Sequence, residues 1–145
     1  MKKLLGILVL GMLLCSPSHA KVGKGELKLS EEAVNTFIEY LYIKTPQAFI
    51  ISPDGKYSYY TFCPHFGKNR NIGCKDGSRK MIKSCNKATG QKCAIFSRGR
   101  KIYWKNGINK KFSFGTPIEF DQNYCCNQKK VITDQLRKLG FVNTN

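Results

Sequence analysis

Acidic residues and histidines are scarce in this chain. It has nine Asp and Glu against 25 Lys and Arg, and two histidines, of which only His65 lies beyond the first twenty residues. A ribonuclease built on two acid–base histidines therefore lacks its second member, unless a Lys or Glu takes that place. No spacing nominates the nucleophile, base and orienting group that serine or cysteine hydrolysis needs. Beyond residue 20 no apolar run is long enough for a membrane helix. There is no long internal repeat and no low-complexity tract, which excludes solenoids and fibrous arrays.

What is present starts with a targeting segment. Lys2 and Lys3 precede an apolar run over residues 4–14, and Ser18-His19-Ala20 offers small residues at a cleavage site, so residues 1–20 read as a signal peptide cut after Ala20. Cys15 invites a lipoprotein reading, but Leu14 stands where lipoprotein processing wants a small side chain. The expected location is periplasmic or secreted. The remaining 125 residues suit one domain. They hold six cysteines (Cys63, Cys74, Cys85, Cys93, Cys125 and Cys126), and an even number in an exported chain argues for disulfides.

Charge is concentrated. Without Lys2 and Lys3 the net charge is +14, and residues 68–111 hold fourteen Lys or Arg with one acid, Asp76, or +13 in that segment. Charge of one sign gathered in this way attracts polyanions over long range and says little about fold.

Residues 21–29 read as a flexible N-terminal tail, followed by a single domain over 30–145. Ser30 offers an N-cap ahead of Glu31 and Glu32, and Ala33, Val34, Phe37, Ile38, Leu41 and Tyr42 recur at helical spacing, predicting a helix over 31–43. Residues 48–63 predict a hairpin around Pro53-Asp54-Gly55. A basic helix carrying Met81, Ile82 and Cys85 is predicted next, capped by Asp76 or Ser78 and stopped by Gly90. A strand over 93–97, a turn at Gly99, a strand over 101–105 with Ile102 and Trp104 inward, and a third strand in which Ile108, Phe112 and Phe114 keep a period of two complete a meander. Asn106-Gly107 is the strongest short hairpin signal. A last helix over 129–139 is apolar at Val131, Ile132, Leu136 and Leu139. The order α-β-β-α-β-β-β-α predicts an α+β fold, a small antiparallel sheet of about five strands covered by helices in two layers and stapled by disulfides.

Two stretches carry a resemblance: Ala48-Phe49-Ile50-Ile51-Ser52-Pro53-Asp54-Gly55, and Cys85, Gly90 and Cys93-Ala94-Ile95-Phe96-Ser97-Arg98-Gly99-Arg100-Lys101-Ile102-Tyr103-Trp104. Together they resemble small exported bacterial domains in which "FAxSxDG" is followed by a helix "AxxxC", a glycine and "CxIFAxGxxIVW". The likeness covers residues 48–104. Ser97 replaces an alanine, Tyr103 a valine, and Asn86 the acid after the helix cysteine; Cys125 and Cys126 fall outside it. It implies a fold and no activity.

Cys85 and Cys93 bracket a helix end and a strand start, and in an exported protein they read as a disulfide that staples helix to sheet, with a metal pair or buried thiols as alternatives. The resemblance points to the disulfide. A Cys63–Cys74 disulfide would pin a glycine-rich basic loop. Cys63-Pro64-His65 matches the first three residues of an oxidoreductase Cys-Pro-His-Cys motif, but Phe66 holds the fourth position. Zinc held by Cys63, His65, Cys74 and another cysteine is chemically open, and oxidising export disfavours it. No cofactor or metal is expected. Arg79, Lys80, Lys83, Lys87, Arg98, Arg100 and Lys101 form the expected anion-binding face, with a solvated surface as the plain alternative. Tyr57, Tyr59, Tyr60, Tyr103 and Trp104 are available for stacking or for cross-strand packing.

Three functions follow as expectations. The first is a non-enzymatic exported domain whose basic face binds an anionic partner: a lipid headgroup, an acidic glycan, a cell-wall polymer or an acidic protein, ahead of nucleic acid. The second is a thiol oxidoreductase or small hydrolase using Cys63 or His65. The third is a structural module of an envelope assembly.

Overall fold

A computed structural model describes residues 20–64, 75–109, 114–120 and 127–144. The expected signal peptide, except Ala20, lies outside these residues, as do His65, Cys74, Cys125 and Cys126. The elements follow in the expected order: α1 (Glu31–Tyr42), β1 (Pro46–Ile51), β2 (Ser58–Phe62), α2 (Ser78–Thr89), β3 (Ala94–Arg98), β4 (Lys101–Ile102), β5 (Thr116–Pro117) and α3 (Gln128–Lys138). The five strands form one antiparallel sheet in the order β2-β1-β3-β4-β5.

The residues explain the elements. The Ser30 hydroxyl accepts from the Ala33 amide at 3.1 Å, capping α1. Gly55, at φ +73°, closes the β1–β2 turn, and its carbonyl accepts from the Ser30 amide at 2.9 Å, tying hairpin to helix. β1 is an interior strand, flanked by β2 and β3, and its side chains alternate between two apolar clusters because successive residues of a strand point to opposite faces. Phe49 and Ile51 join Phe37, Tyr40, Leu41, Phe96, Ile132, Leu136 and Phe141, on the side of α1 and α3. Ala48 and Ile50 join Cys85, Cys93 and Ile95, on the side of α2. The sheet is thus covered on both faces, giving three layers where two were expected. In the larger cluster the Phe37 ring meets Phe49 at 5.0 Å and Phe96 at 5.2 Å between centroids, and Phe96 meets Phe141 at 5.0 Å, all edge-to-face.

Two segments depart from expectation. Residues 21–29 are tied into the domain. Val22 and Lys24 form parallel bridges with Ile95 and Lys105, Leu27 and Leu29 are buried, and the Leu29 amide donates to the Phe141 carbonyl at 2.8 Å. The Trp104 indole donates to the Gly25 carbonyl at 2.9 Å, and a Cβ on Gly23 would overlap its ring. This strap fits where two-residue β4 stops short of Ile95, whose other neighbour is Ile50 of β1.

The third meander strand also lies later than expected. Asn106-Gly107 does not make a two-residue hairpin turn, since neither residue has a positive φ. Instead the Asn106 carboxamide accepts from the Ile108 and Asn109 amides and donates to the Leu139 carbonyl, leading the chain out of the sheet. Ile108 and Phe114 are 65% and 81% exposed, and Phe112 lies outside the described residues. Asn109 then bridges back, donating to the Trp104 carbonyl and accepting from the Thr116 hydroxyl that opens β5.

Candidate anion-binding site

α2 presents the basic face. Its first free amide, that of Ser78, is satisfied by the Asp76 carboxylate at 2.9 Å, and Gly90 ends it at φ +69°. Met81, Ile82 and Cys85 face the sheet, which leaves Arg79, Lys80, Lys83 and Lys87 exposed. The Cys85–Cys93 disulfide, with its Cα atoms 6.1 Å apart, staples this helix to the start of β3. The connection between them is pinned further: the Asn86 side chain accepts from the Cys93 amide at 2.8 Å, and the Thr89 hydroxyl accepts from the Gln91 amide at 3.1 Å. The Gln91 side chain reaches Asp54 in the β1–β2 turn at 2.8 Å.

Beside α2 lies an open cleft of about 510 Å³, with Lys21, Arg79, Lys83 and Lys92 around it and Ile82, Cys93 and Ala20 as its apolar part. Among the described residues Asn86 is its one uncharged polar side chain, and no acid lines it. Four cations from three chain segments, with no counter-charge among the described lining residues, repel one another, and an incoming anion relieves that repulsion. Arg79 supplies the planar fork that matches phosphate or carboxylate, and the lysines supply point charges.

The structure brings together only part of the expected face. Arg79 and Lys83 line the cleft; Lys80 and Lys87 are exposed on α2 outside it. Arg98 pairs with Asp76 at 3.3 Å. Burial works against ionisation of Asp76, but hydrogen bonds with Ser78 and Arg98 outweigh it and hold the carboxyl below its usual range. Arg100 is occupied elsewhere: it donates to the Leu41 and Ile43 carbonyls at 3.2 and 3.0 Å and lies 5.2 Å from the Phe120 ring centre, closing the C-terminal end of α1. Lys101 is exposed on β4, away from the cleft.

Lys21 and Lys92 are the cleft residues that the sequence reading missed. Lys92 directly precedes Cys93, so the expected disulfide already placed it near α2. Lys21 had no such signal, because it sat in a segment read as a tail. The aromatic residues do not stack along the cleft. Trp104 is buried, Tyr60 packs on Tyr40 and Phe62, and Tyr59 joins the α2-side core.

Two other clefts are more mixed in charge. One of about 590 Å³ joins Glu31 and Glu32 to Lys56 and Tyr57, and one of about 580 Å³ runs along α3, where Arg137 is paired with Asp134. Cys63 is disulfide-bonded, and its amide donates to the Thr45 carbonyl at 3.0 Å; its expected partner Cys74 is not among the described residues. Among the described residues no group of three His, Cys, Asp or Glu could hold a metal ion, and no helix is long and apolar enough to cross a membrane. Compared with protein-family models, curated proteins and solved structures, the chain matches none.

Proposed function

We propose that this chain is an exported domain, cleaved after Ala20, that binds a phosphate- or carboxylate-bearing envelope partner without catalysing a reaction. The observation that carries this reading is the cleft bordered by Lys21, Arg79, Lys83 and Lys92, with no acid among its described lining residues. The Cys85–Cys93 disulfide suits an oxidising compartment. The +13 segment supplies long-range attraction, and the cleft supplies a place for that attraction to end in contact.

The test is binding of the purified mature protein to immobilised heparin and to phosphatidylglycerol vesicles across a salt series. Binding at low salt that weakens steadily as salt rises is expected, because the contacts are ionic and screened over about 10 Å at 0.1 M. A paired Arg79→Ala and Lys83→Ala variant should bind about 30-fold more weakly, at roughly 1 kcal/mol for each cation near an anionic surface. No binding, or binding indifferent to salt, would remove the proposal.

A further inference from the structure

Ala20 and Lys21 both line the basic cleft, and the expected cleavage falls between them. Ala20 is half-buried against the cluster of Ala48, Ile50, Cys85, Cys93 and Ile95. The Lys21 backbone is fixed: its carbonyl accepts from the Ile95 amide at 3.0 Å, and the Gly23 amide donates to the Ile95 carbonyl at 3.0 Å. The next links are the Lys105 amide to the Gly23 carbonyl at 3.1 Å and the Gly25 amide to the Lys105 carbonyl at 2.8 Å. A terminus made at Lys21 would therefore begin on a residue already tethered through its own carbonyl.

We infer that leader removal completes the cleft: the freed α-ammonium of Lys21 becomes a fifth fixed cation in it, and the mature chain there takes a phosphate group. This rests on the proposed function and deepens it. The covalent step is hydrolysis by an exporting signal peptidase. Water adds across the Ala20–Lys21 peptide bond, its hydroxyl going to the Ala20 carbonyl carbon and its proton to the Lys21 nitrogen, which takes a second proton from solvent. The departing Ala20 leaves its apolar seat open, so the cleft gains both charge and room. Phosphate is the favoured group because it offers several anionic oxygens to cations arriving from three directions.

The new amine would titrate near neutrality. A free α-amine has a pKa of about 7.7–8.0, and the charged groups that line the cleft with it among the described residues are cationic: the Lys21 side chain, Arg79 and Lys83 from α2, and Lys92 from the connection to β3. Cys93, locked in a disulfide, does not titrate. Cationic neighbours favour the neutral amine and lower its pKa. The charge is present below that pKa and lost above it, so the extra affinity is greatest on the acidic side.

The experiment compares three chains of equal fold by near-ultraviolet circular dichroism: residues 21–145 with a free terminus, the same chain N-acetylated, and residues 20–145 N-acetylated on Ala20. Each is titrated with inorganic phosphate and, separately, with phosphatidylglycerol vesicles, which distinguishes a free phosphate from a lipid headgroup. The free-terminus chain should bind at least one probe roughly five- to tenfold more tightly than the other two at pH 6.5, with the gap closing by about pH 9. Equal, salt-dependent binding by all three overturns the inference and leaves the basic cleft standing. Absence of binding by all three, to heparin as well, overturns both.

Discussion

Arg100 and Lys83 look alike in the sequence, as two cations of one basic segment, and the structure gives them opposite work. Arg100 bonds two carbonyls at the end of α1 and lies on Phe120, whereas Lys83 is exposed at the cleft. Arg100→Ala should therefore lower stability by about 2 kcal/mol, read as a lower urea midpoint, with little change in heparin binding. Lys83→Ala should do the reverse. Gly23 makes a third residue-scale case: Gly23→Val places a branched side chain where the Trp104 ring lies, and should cost about 1–3 kcal/mol with altered tryptophan fluorescence. None of these roles can be read from residue type, because each depends on a neighbour distant in sequence.

At the scale of elements, local signals were legible where local chemistry decides. The Ser30 cap, the Gly55 turn and the Gly90 stop all lie where the residues placed them. The Asn106-Gly107 signal misled because the Asn106 side chain found a partner in Leu139, 33 residues away, and that contact overrode the hairpin preference. Phe141 follows Gly140, whose φ of +80° ends α3, and an apolar residue just past such a stop often packs back; here it sits in the core. The basic stripe of α2 was visible from helical spacing, but its cleft was not, since Lys21 arrives from a segment whose pairing with Ile95 has no local pattern. The α2–β3 staple carries its own prediction. A Cys85→Ala, Cys93→Ala variant should lose about 2–3 kcal/mol from the closure entropy of a short loop. It should also bind heparin more weakly, because Lys92 loses one of the restraints that hold it beside α2.

For the whole molecule, stability should fall at both ends of the pH scale for separate reasons. Asp54, held by the Ser52 hydroxyl and then the Gln91 amide, and Asp76 both lie below the ordinary carboxylate range when folded. Their contribution is present above the unfolded value of about 3.9 and is lost as pH falls through the lower folded values. Repulsion among the many cations adds to this acid loss, so added salt should restore part of it. At the alkaline end, burial pushes the Tyr40 phenol up to about 12, against the ordinary 10, while its hydroxyl donates to the Gly99 carbonyl at 2.9 Å. That contribution is complete below about pH 10 and disappears as pH rises toward 12. Urea midpoints from pH 3 to 11 check both limbs, and Tyr40→Phe should flatten the alkaline one.

The strap adds a constraint of time. Its partners are Ile95, Trp104, Lys105 and Phe141, so the segment synthesised early cannot begin to settle until about two thirds of the chain exists, and cannot finish until Phe141 does. Contacts so far apart in sequence close late in folding. A chain emerging from its amino end would keep this seam undone until β3 and the residues after β4 have followed.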